Sequence, residues 1–172
     1  MGSNDVIPFK HVHSAHCESG VTASLLSHAG AEITEPMVFG IAAGLFFLHV
    51  PFKSLFGNPN TNFRSAPGSI FKKTCKRLGV DFEVKTFGND VAAGTQALEQ
   101  MVASGQPVGI QTNVFWLSHM PRRFRFQFNA HNLVVFGKDA AEGWRVSDPV
   151  LEQPLWCTAP SMARARFAKG LL

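Results

Sequence analysis

The 172-residue chain contains no tyrosine, although it carries 16 Phe and 3 Trp. No tyrosine can therefore act as nucleophile, acid or oxyanion donor, and any chemistry must come from Cys, His, Asp, Glu, Ser or Lys. Charge is also sparse, at 16% of residues against 45% apolar. That balance excludes disorder as the main state, because disordered chains are poor in apolar residues. The net charge is only +4. Nucleic-acid binders concentrate a basic excess in a stripe or arm. Here it falls in short clusters: Lys72, Lys73, Lys76 and Arg77; Arg122, Arg123 and Arg125; Arg164 and Arg166. The first cluster reads as the solvated face of a helix, and no nucleic-acid partner is expected.

Cysteine is scarce too. The three residues Cys17, Cys75 and Cys157 cannot all pair internally, and their spacing fits neither a zinc knuckle nor CxxC. A reducing compartment is the simpler assumption. Met1 to Lys10 has no apolar core of the kind a signal peptide needs. The longest apolar run, Phe39 to Val50, is too short to cross a bilayer and includes His49. A cytoplasmic protein without membrane contact is expected. The composition leaves the oligomeric state open.

A chain of this length suits one domain, burying about 70% of the surface its unfolded form exposes. From Cys17 the apolar spacing becomes helical, with Gly30 as a stop. Thr34 can cap a second helix with Glu35 and Pro36 in its first turn, ending near Gly44. Leu45 to Phe52 reads as a buried strand, 53–68 as a loop, and Ser69 to Leu78 as a helix stopped by Gly79. Val80 to Phe87 alternates like a strand, and Asn89 can cap a helix running to Ser104. Strands are expected over Pro107–Asn113, Phe124–Asn129, Asn132–Gly137 and Trp144–Ser147, with a helical tail over Ser161–Leu172. Helices lead and strands follow, which predicts an α+β fold with a mainly antiparallel sheet.

The chemistry gathers around Cys17. A thiol at a helix start sits beside unpaired N–H groups and the positive end of the helix dipole, and both favour the thiolate. It still needs an acid/base partner to turn over an acyl group. His131 and Asp148 bracket the proposed hairpin. If Lys138 faces Gly143, Asp148 lies opposite Leu133 and is a diagonal, same-face neighbour of His131. A carboxylate there would fix the imidazole tautomer and stabilise the imidazolium. A slip of one residue would separate the two. Each residue alone has a plainer reading: a buried small thiol, a surface or core histidine, an Asp-Pro turn. Cys75 and Cys157 have no obvious partner and read as structural.

His16-Cys17-Glu18-Ser19, followed by Leu25-Leu26 and Gly30, resembles the start of the butirosin biosynthesis protein H N-terminal domain family. So do Val38-Phe39-Gly40-Ile41 with Gly44-Leu45-Phe46-Phe47, and Gly105-Gln106-Pro107-Val108. His131-Asn132-Leu133-Val134-Val135-Phe136-Gly137 and Val146-Ser147-Asp148-Pro149 complete the resemblance, which spans about residues 9 to 170. The order and spacing are also similar to those of bacteriocin-processing cysteine peptidases. The resemblance implies a papain-like cysteine peptidase fold, expected as a single domain over residues 9–172; residues 1–8, which open Met1-Gly2-Ser3, read as an N-terminal extension or tag remnant. Members carry a further C-terminal region, so a longer parent protein is an open alternative.

The same resemblance implies Cys17 as nucleophile, His131 as general base and acid, and Asp148 as its orienter. The related butirosin-pathway protein moves an aminoacyl group from an acyl carrier protein to an aminoglycoside amine. A cysteine acyltransferase is therefore expected, with an acyl carrier protein or other acyl-thioester as donor and an amine-bearing small molecule as acceptor. The alternatives are a peptidase or amidase of the same fold, and a binding module without catalysis. Arg122, Arg123 and Arg125 are candidates for docking an acidic carrier. Papain-like enzymes place a Gln six residues before the nucleophile, where this chain has His11, whose N–H can serve the oxyanion. His16 can help to bind substrate or pack under the helix. His11, His13 and His16 lack an evident fourth ligand, so no metal and no cofactor are expected.

Overall fold

The computed structural model describes residues 5–55 and 58–169. Residues 1–4 of the expected extension and 170–172 of the expected helical tail lie outside the described residues. Three helices come first. Helix α1 (Cys17–His28) runs from the polar N-terminal strap to Gly30, whose φ of 94° suits the absence of a side chain. Helix α2 (Glu35–Ile41) starts at Thr34 with proline in its first turn. After a hairpin formed by β2 (Leu45–Leu55) and β3 (Asn58–Arg64), helix α3 (Ser69–Leu78) ends at Gly79 in the left-handed region. Ala23, Leu26, Val38, Ala42 and Ile70 bury together where α1, α2 and α3 meet. Fully burying Val38 or Ile70 contributes roughly 1.5–3 kcal/mol each.

The second half builds the main sheet. Helix α4 (Val91–Ala103) leads into β4 (Val108–Thr112), β5 (His131–Asp139), β6 (Gly143–Ser147) and β7 (Leu155–Cys157), and helix α5 (Ala159–Phe167) follows. All pairings are antiparallel: β5 pairs β6, β6 pairs β7, and β4 lies on the other edge of β5. The chain is thus α+β, with five helices among the described residues. One sheet face carries Leu133 and Val135 into a core with Leu98 and Val102 of α4 and Met162 and Ala165 of α5. Helix α1 contacts β4 and β5. Gly109 permits this approach, because a Cβ there would lie 2.9 Å from Leu25 Cδ1. None of the described helices is long and apolar enough to cross a membrane.

Several expectations need correction. Asp5–Val6 forms a short strand, β1, paired with Lys138 and Gly137, and Ile7 is buried in the main core. The start of the described chain is therefore integrated into the sheet, and the extension expected over 1–8 does not hold for residues 5–7. Leu45–Phe52 is a strand but not a buried one: Leu45 is 81% exposed and Phe47 67%. Part of the loop expected over 53–68 is β3, whose strand character Pro59 and the neighbouring Gly57 concealed. Neither Val80–Phe87 nor Phe124–Asn129 is a strand. In the first, Val80, Phe82 and Val84 are exposed, so alternation there marks no buried face. In the second, a 3-10 turn occupies Arg122–Phe124. Asp90, not Asn89, caps α4 by accepting from Ala93 N–H at 2.9 Å. The final helix starts at Ala159, and β7 was not foreseen.

Candidate active site

Cys17 is the first residue of α1, and its thiol is partly exposed. The residues beside it lock this helix start. His16 is the N-cap, and Arg64 Nη1 donates to His16 Nε2 at 2.9 Å. An arginine can only donate, so Nε2 is unprotonated and Nδ1 carries the hydrogen. Nδ1 then donates to Ser19 Oγ at 2.9 Å, and Ser19 Oγ donates to Glu35 Oε1 at 2.9 Å. The Ser19 N–H, 3.3 Å from the same Nδ1, cannot also bond to it in this tautomer. Burial and the Arg64 charge hold His16 below the ordinary histidine pKa, against the pull of Glu18 and Glu35. Glu18 is 2% exposed, accepts from Arg64 Nη2 at 2.6 Å, and accepts from the Ile70 N–H at 2.7 Å at the start of α3. A buried carboxylate needs such partners. It ties α1 to α3 and β3.

The strap before Cys17 is held against the ends of β5 and β6. Ser14 N–H donates to Pro149 O at 2.7 Å, and Ile7 N–H to Phe136 O at 2.8 Å. His11 Nε2 lies 3.0 Å from Leu151 O and must donate to it, so Nδ1 accepts from Ser147 Oγ at 2.7 Å. His11 thus has both ring nitrogens engaged and serves the strap. The geometry does not leave it free as the oxyanion donor that was expected. His16 is likewise committed, through Arg64 and Ser19, to packing at the helix start rather than to substrate. His13 points to Glu152 at 3.4 Å. The three histidines face three different ways, and among the described residues no group of three His, Cys, Asp or Glu is arranged to hold a metal.

The hairpin brings the other two residues to Cys17 by an unexpected route. Asp139, not Lys138, faces Gly143, because the Asp139 carboxylate closes the turn by accepting from Ala141 and Glu142 N–H, both at 2.8 Å. A bulge between Val135 and Gly137 then shifts the register by one. Val134 faces Ser147 and Val135 faces Val146, the pairing expected at the site end. His131 Nε2 consequently lies 2.8 Å from Asp148 Oδ2. The other nitrogen, Nδ1, is left for the Cys17 thiol, whose interaction with the ring raises His131 and lowers Cys17.

These contacts set the charges. Burial alone would depress His131, but the Asp148 and Cys17 contacts raise it to about 9. Burial alone would raise Cys17, but His131 and Asn132 outweigh it and lower the thiol. Asp148 is 1% exposed; burial would raise it, yet its two histidine partners hold it well below the usual carboxylate range. Cys17, His131 and Asp148 can thus hold a thiolate, an imidazolium and a carboxylate in a row. That arrangement can deliver a nucleophile and move a proton.

Two neighbours escaped sequence reasoning. Asn132 Nδ2 donates to Ala130 O at 3.0 Å and lies 4.0 Å from Cys17 Sγ. Its place beside His131 was visible, but the strand alternation gave no reason to point it at Cys17. His119 Nε2 lies 3.1 Å from Asp148 Oδ2, so one carboxylate oxygen accepts from two imidazoles. Burial opposes the charged form of His119, and Asp148 with Cys157 raises its pKa in spite of that. Cys157 is therefore no bystander: it lies against the His119 ring, which lowers its pKa despite burial, and accepts from Ser118 Oγ at 3.6 Å. The geometry nevertheless leaves His119 Nδ1 without a hydrogen bond. No local pattern in Ser118-His119-Met120 signals this, since only the fold brings the loop to Asp148. Cys75 is buried, and burial raises its thiol.

Of the docking arginines, Arg122 and Arg123 are exposed, with Arg123 over the Phe124 ring. Arg125 is committed to the Met120 and Ser118 carbonyls at 2.8 Å each and is not free for a partner.

The family described as butirosin biosynthesis protein H, N-terminal, matches residues 16–149. No curated protein and no solved structure matches.

Proposed function

Because the chain belongs to the butirosin biosynthesis protein H N-terminal family, we propose that it is a cysteine-dependent acyltransferase of antibiotic biosynthesis. The observation that carries the reading is the meeting of Cys17 with His131 at the start of α1, where the two shift each other's charge and His131 is bonded to Asp148. A helix bearing the thiol against an antiparallel sheet bearing the histidine, with the aspartate just past the end of β6, also supports a papain-like fold.

In this reading the Cys17 thiolate attacks the carbonyl carbon of an acyl-thioester. The C–S bond to Cys17 forms, the carbonyl oxygen becomes an oxyanion, and its collapse expels the donor thiolate. That thiolate takes the proton of the His131 imidazolium. An amine then attacks the acyl-enzyme and gives a proton to His131, and the Cys17 thiolate leaves. One thioester and one amine become one amide and one thiol. Asp148 keeps the imidazolium oriented throughout.

The donor in this reading is an acidic acyl carrier protein, and exposed Arg122 and Arg123, which follow closely after His119, the second partner of Asp148, offer it opposite charge. Reversing both charges should weaken carrier binding and flatten its salt dependence; unchanged affinity would remove the docking element. The activity is tested by mixing the protein with an acyl-thioester, with and without a primary amine, and following intact mass. Acylation that Cys17→Ser abolishes, and that the amine discharges to an amide, is expected. Discharge by water at the same rate would make it a hydrolase. No acylation at all would point to a binding module and overturn the proposal.

A further inference from the structure

An acyl-enzyme route needs hydrogen-bond donors for the oxyanion as well as a nucleophile, and removing one such donor typically costs about 10²–10³ in rate. The first donor is the Cys17 backbone N–H, which lies in the first turn of α1, where N–H groups have no intrahelical partner. The side-chain donor is not supplied by the strap. His11 gives its one ring hydrogen to Leu151 O, and His16 gives its one to Ser19 Oγ.

Asn132 remains. It follows His131 on β5, and strand alternation turns it to the opposite face from Leu133. It is only partly buried, as is Cys17, so both are reachable from solvent. Its carboxamide carries two hydrogens. One is held by Ala130 O at 3.0 Å, which fixes the plane of the group. The nitrogen lies 4.0 Å from Cys17 Sγ. An oxyanion on the carbon bonded to Sγ stands about one bond angle from the sulfur. A donor some 4 Å from Sγ is therefore at the right remove to lie about 3 Å from that oxygen, the range in which such donors act.

We propose that Asn132 is a catalytic residue whose Nδ2–H, with the Cys17 N–H, receives the oxyanion. The inference rests on the acyl-transfer reading above. When the thiolate adds to the carbonyl, the π electrons move to oxygen, and both donors meet the new charge. When the oxyanion collapses, the electrons return and the leaving thiolate departs with the His131 proton. Asn132 neither gains nor loses a proton in either step.

The test separates stabilising the oxyanion from stabilising the thiolate. Iodoacetamide alkylates Cys17 by displacing iodide, with no charge developing on a carbonyl oxygen. Single-turnover acylation by an acyl-thioester develops that charge. Asn132→Ala should slow acylation about 10²–10³-fold, while alkylation falls by about tenfold or less, the scale of one ordinary hydrogen bond. Asn132→Asp retains the shape but replaces the donor with an acceptor, and should slow acylation at least as much. Alkylation in each variant also reports that Cys17 and His131 are still in place. Equal losses in the two reactions would reduce Asn132 to a thiolate contact and overturn the proposal, as would acylation at the wild-type rate. Wild-type protein that alkylates at Cys17 but is never acylated would sink the acyl-transfer reading itself, and this inference with it.

Discussion

Replacing Asp148 with Asn removes the charge that holds the His131 imidazolium while nearly preserving shape. The rise of His131 from its ordinary 6.5 to about 9 corresponds to a factor of about 300 in favour of the protonated ring, or about 3 kcal/mol. Asp148 is first among the contacts that raise it, and Cys17 supplies part of the rest. The expected loss of thiolate–imidazolium pair in Asp148→Asn is therefore between about 10-fold and 300-fold. The assay is iodoacetamide alkylation of Cys17 across a pH series, with peptide mass mapping to separate the three cysteines. Cys75 is the internal control, because its thiol is raised by burial and makes no contact with Asp148.

The sign of the pH effect follows from the imidazolium. It exists below about 9, so the wild type should lead clearly near pH 6. Above about pH 9 the thiolate forms without it, and the two curves should converge. Circular dichroism and the thermal midpoint establish that the variant is folded. A folded Asp148→Asn protein that alkylates Cys17 at the wild-type rate near pH 6 would refute the charge assignment.

Further outcomes can be stated together. His131 is raised in the folded state, so its stabilising contribution is full below about 6.5 and is lost as pH rises through about 9; Asp148 is depressed, so its contribution is lost as pH falls below its ordinary 3.8. The depressed Cys17 and Cys157 thiols act with the opposite sign as pH rises towards 9, so the check is the acid limb: a thermal midpoint that stays level between about pH 5 and 2 would contradict the Asp148 assignment. Glu18→Ala strands Arg64 and uncaps the start of α3, and should cost about 3–5 kcal/mol in urea unfolding; less than about 1 would mean that Glu18 is not the clamp described. Gly20→Ala puts a Cβ 2.7 Å from Ser14 Cβ and 2.9 Å from Pro149 Cβ, and should cost about 1–3 kcal/mol while loosening the strap, read as faster amide exchange at Ser14. His119→Leu removes one of two donors to Asp148 Oδ2, at a cost of about 1–3 kcal/mol, and should slow Cys17 alkylation less than Asp148→Asn does.

Much of the architecture is written in local signals. The start of α1 at Cys17, its end before Gly30, the proline start of α2 and the Gly79 stop of α3 all follow from backbone preferences of single residues. Strands were less dependable. The expected strands over 132–137 and 144–147 are there, but those over 80–87 and 124–129 join no sheet. Alternation records only that one face differs from the other, and a strand also needs a neighbour to satisfy its N–H and C=O groups. The exposed β2 shows the converse, since apolar sequence formed a strand that the core did not cover.

At the site, residue types and their order marked Cys17, His131 and Asp148, because a thiol at a helix start and a His–Asp pair flanking one hairpin are properties of nearby positions. Their contact depended on register, which a turn fixed one residue away from expectation and a bulge corrected. The roles of His11, His16, His119 and Asn132 were decided only by packing. An imidazole or a carboxamide offers a fixed number of hydrogens and lone pairs, and which groups meet them depends on chain segments far apart in sequence: Leu151 O accepts from His11, Arg64 donates to His16, Asp148 accepts from His119, and the Cys17 sulfur faces the Asn132 amide. Local chemistry names the groups that can react, but only the three-dimensional contacts determine which of them remain free to do so.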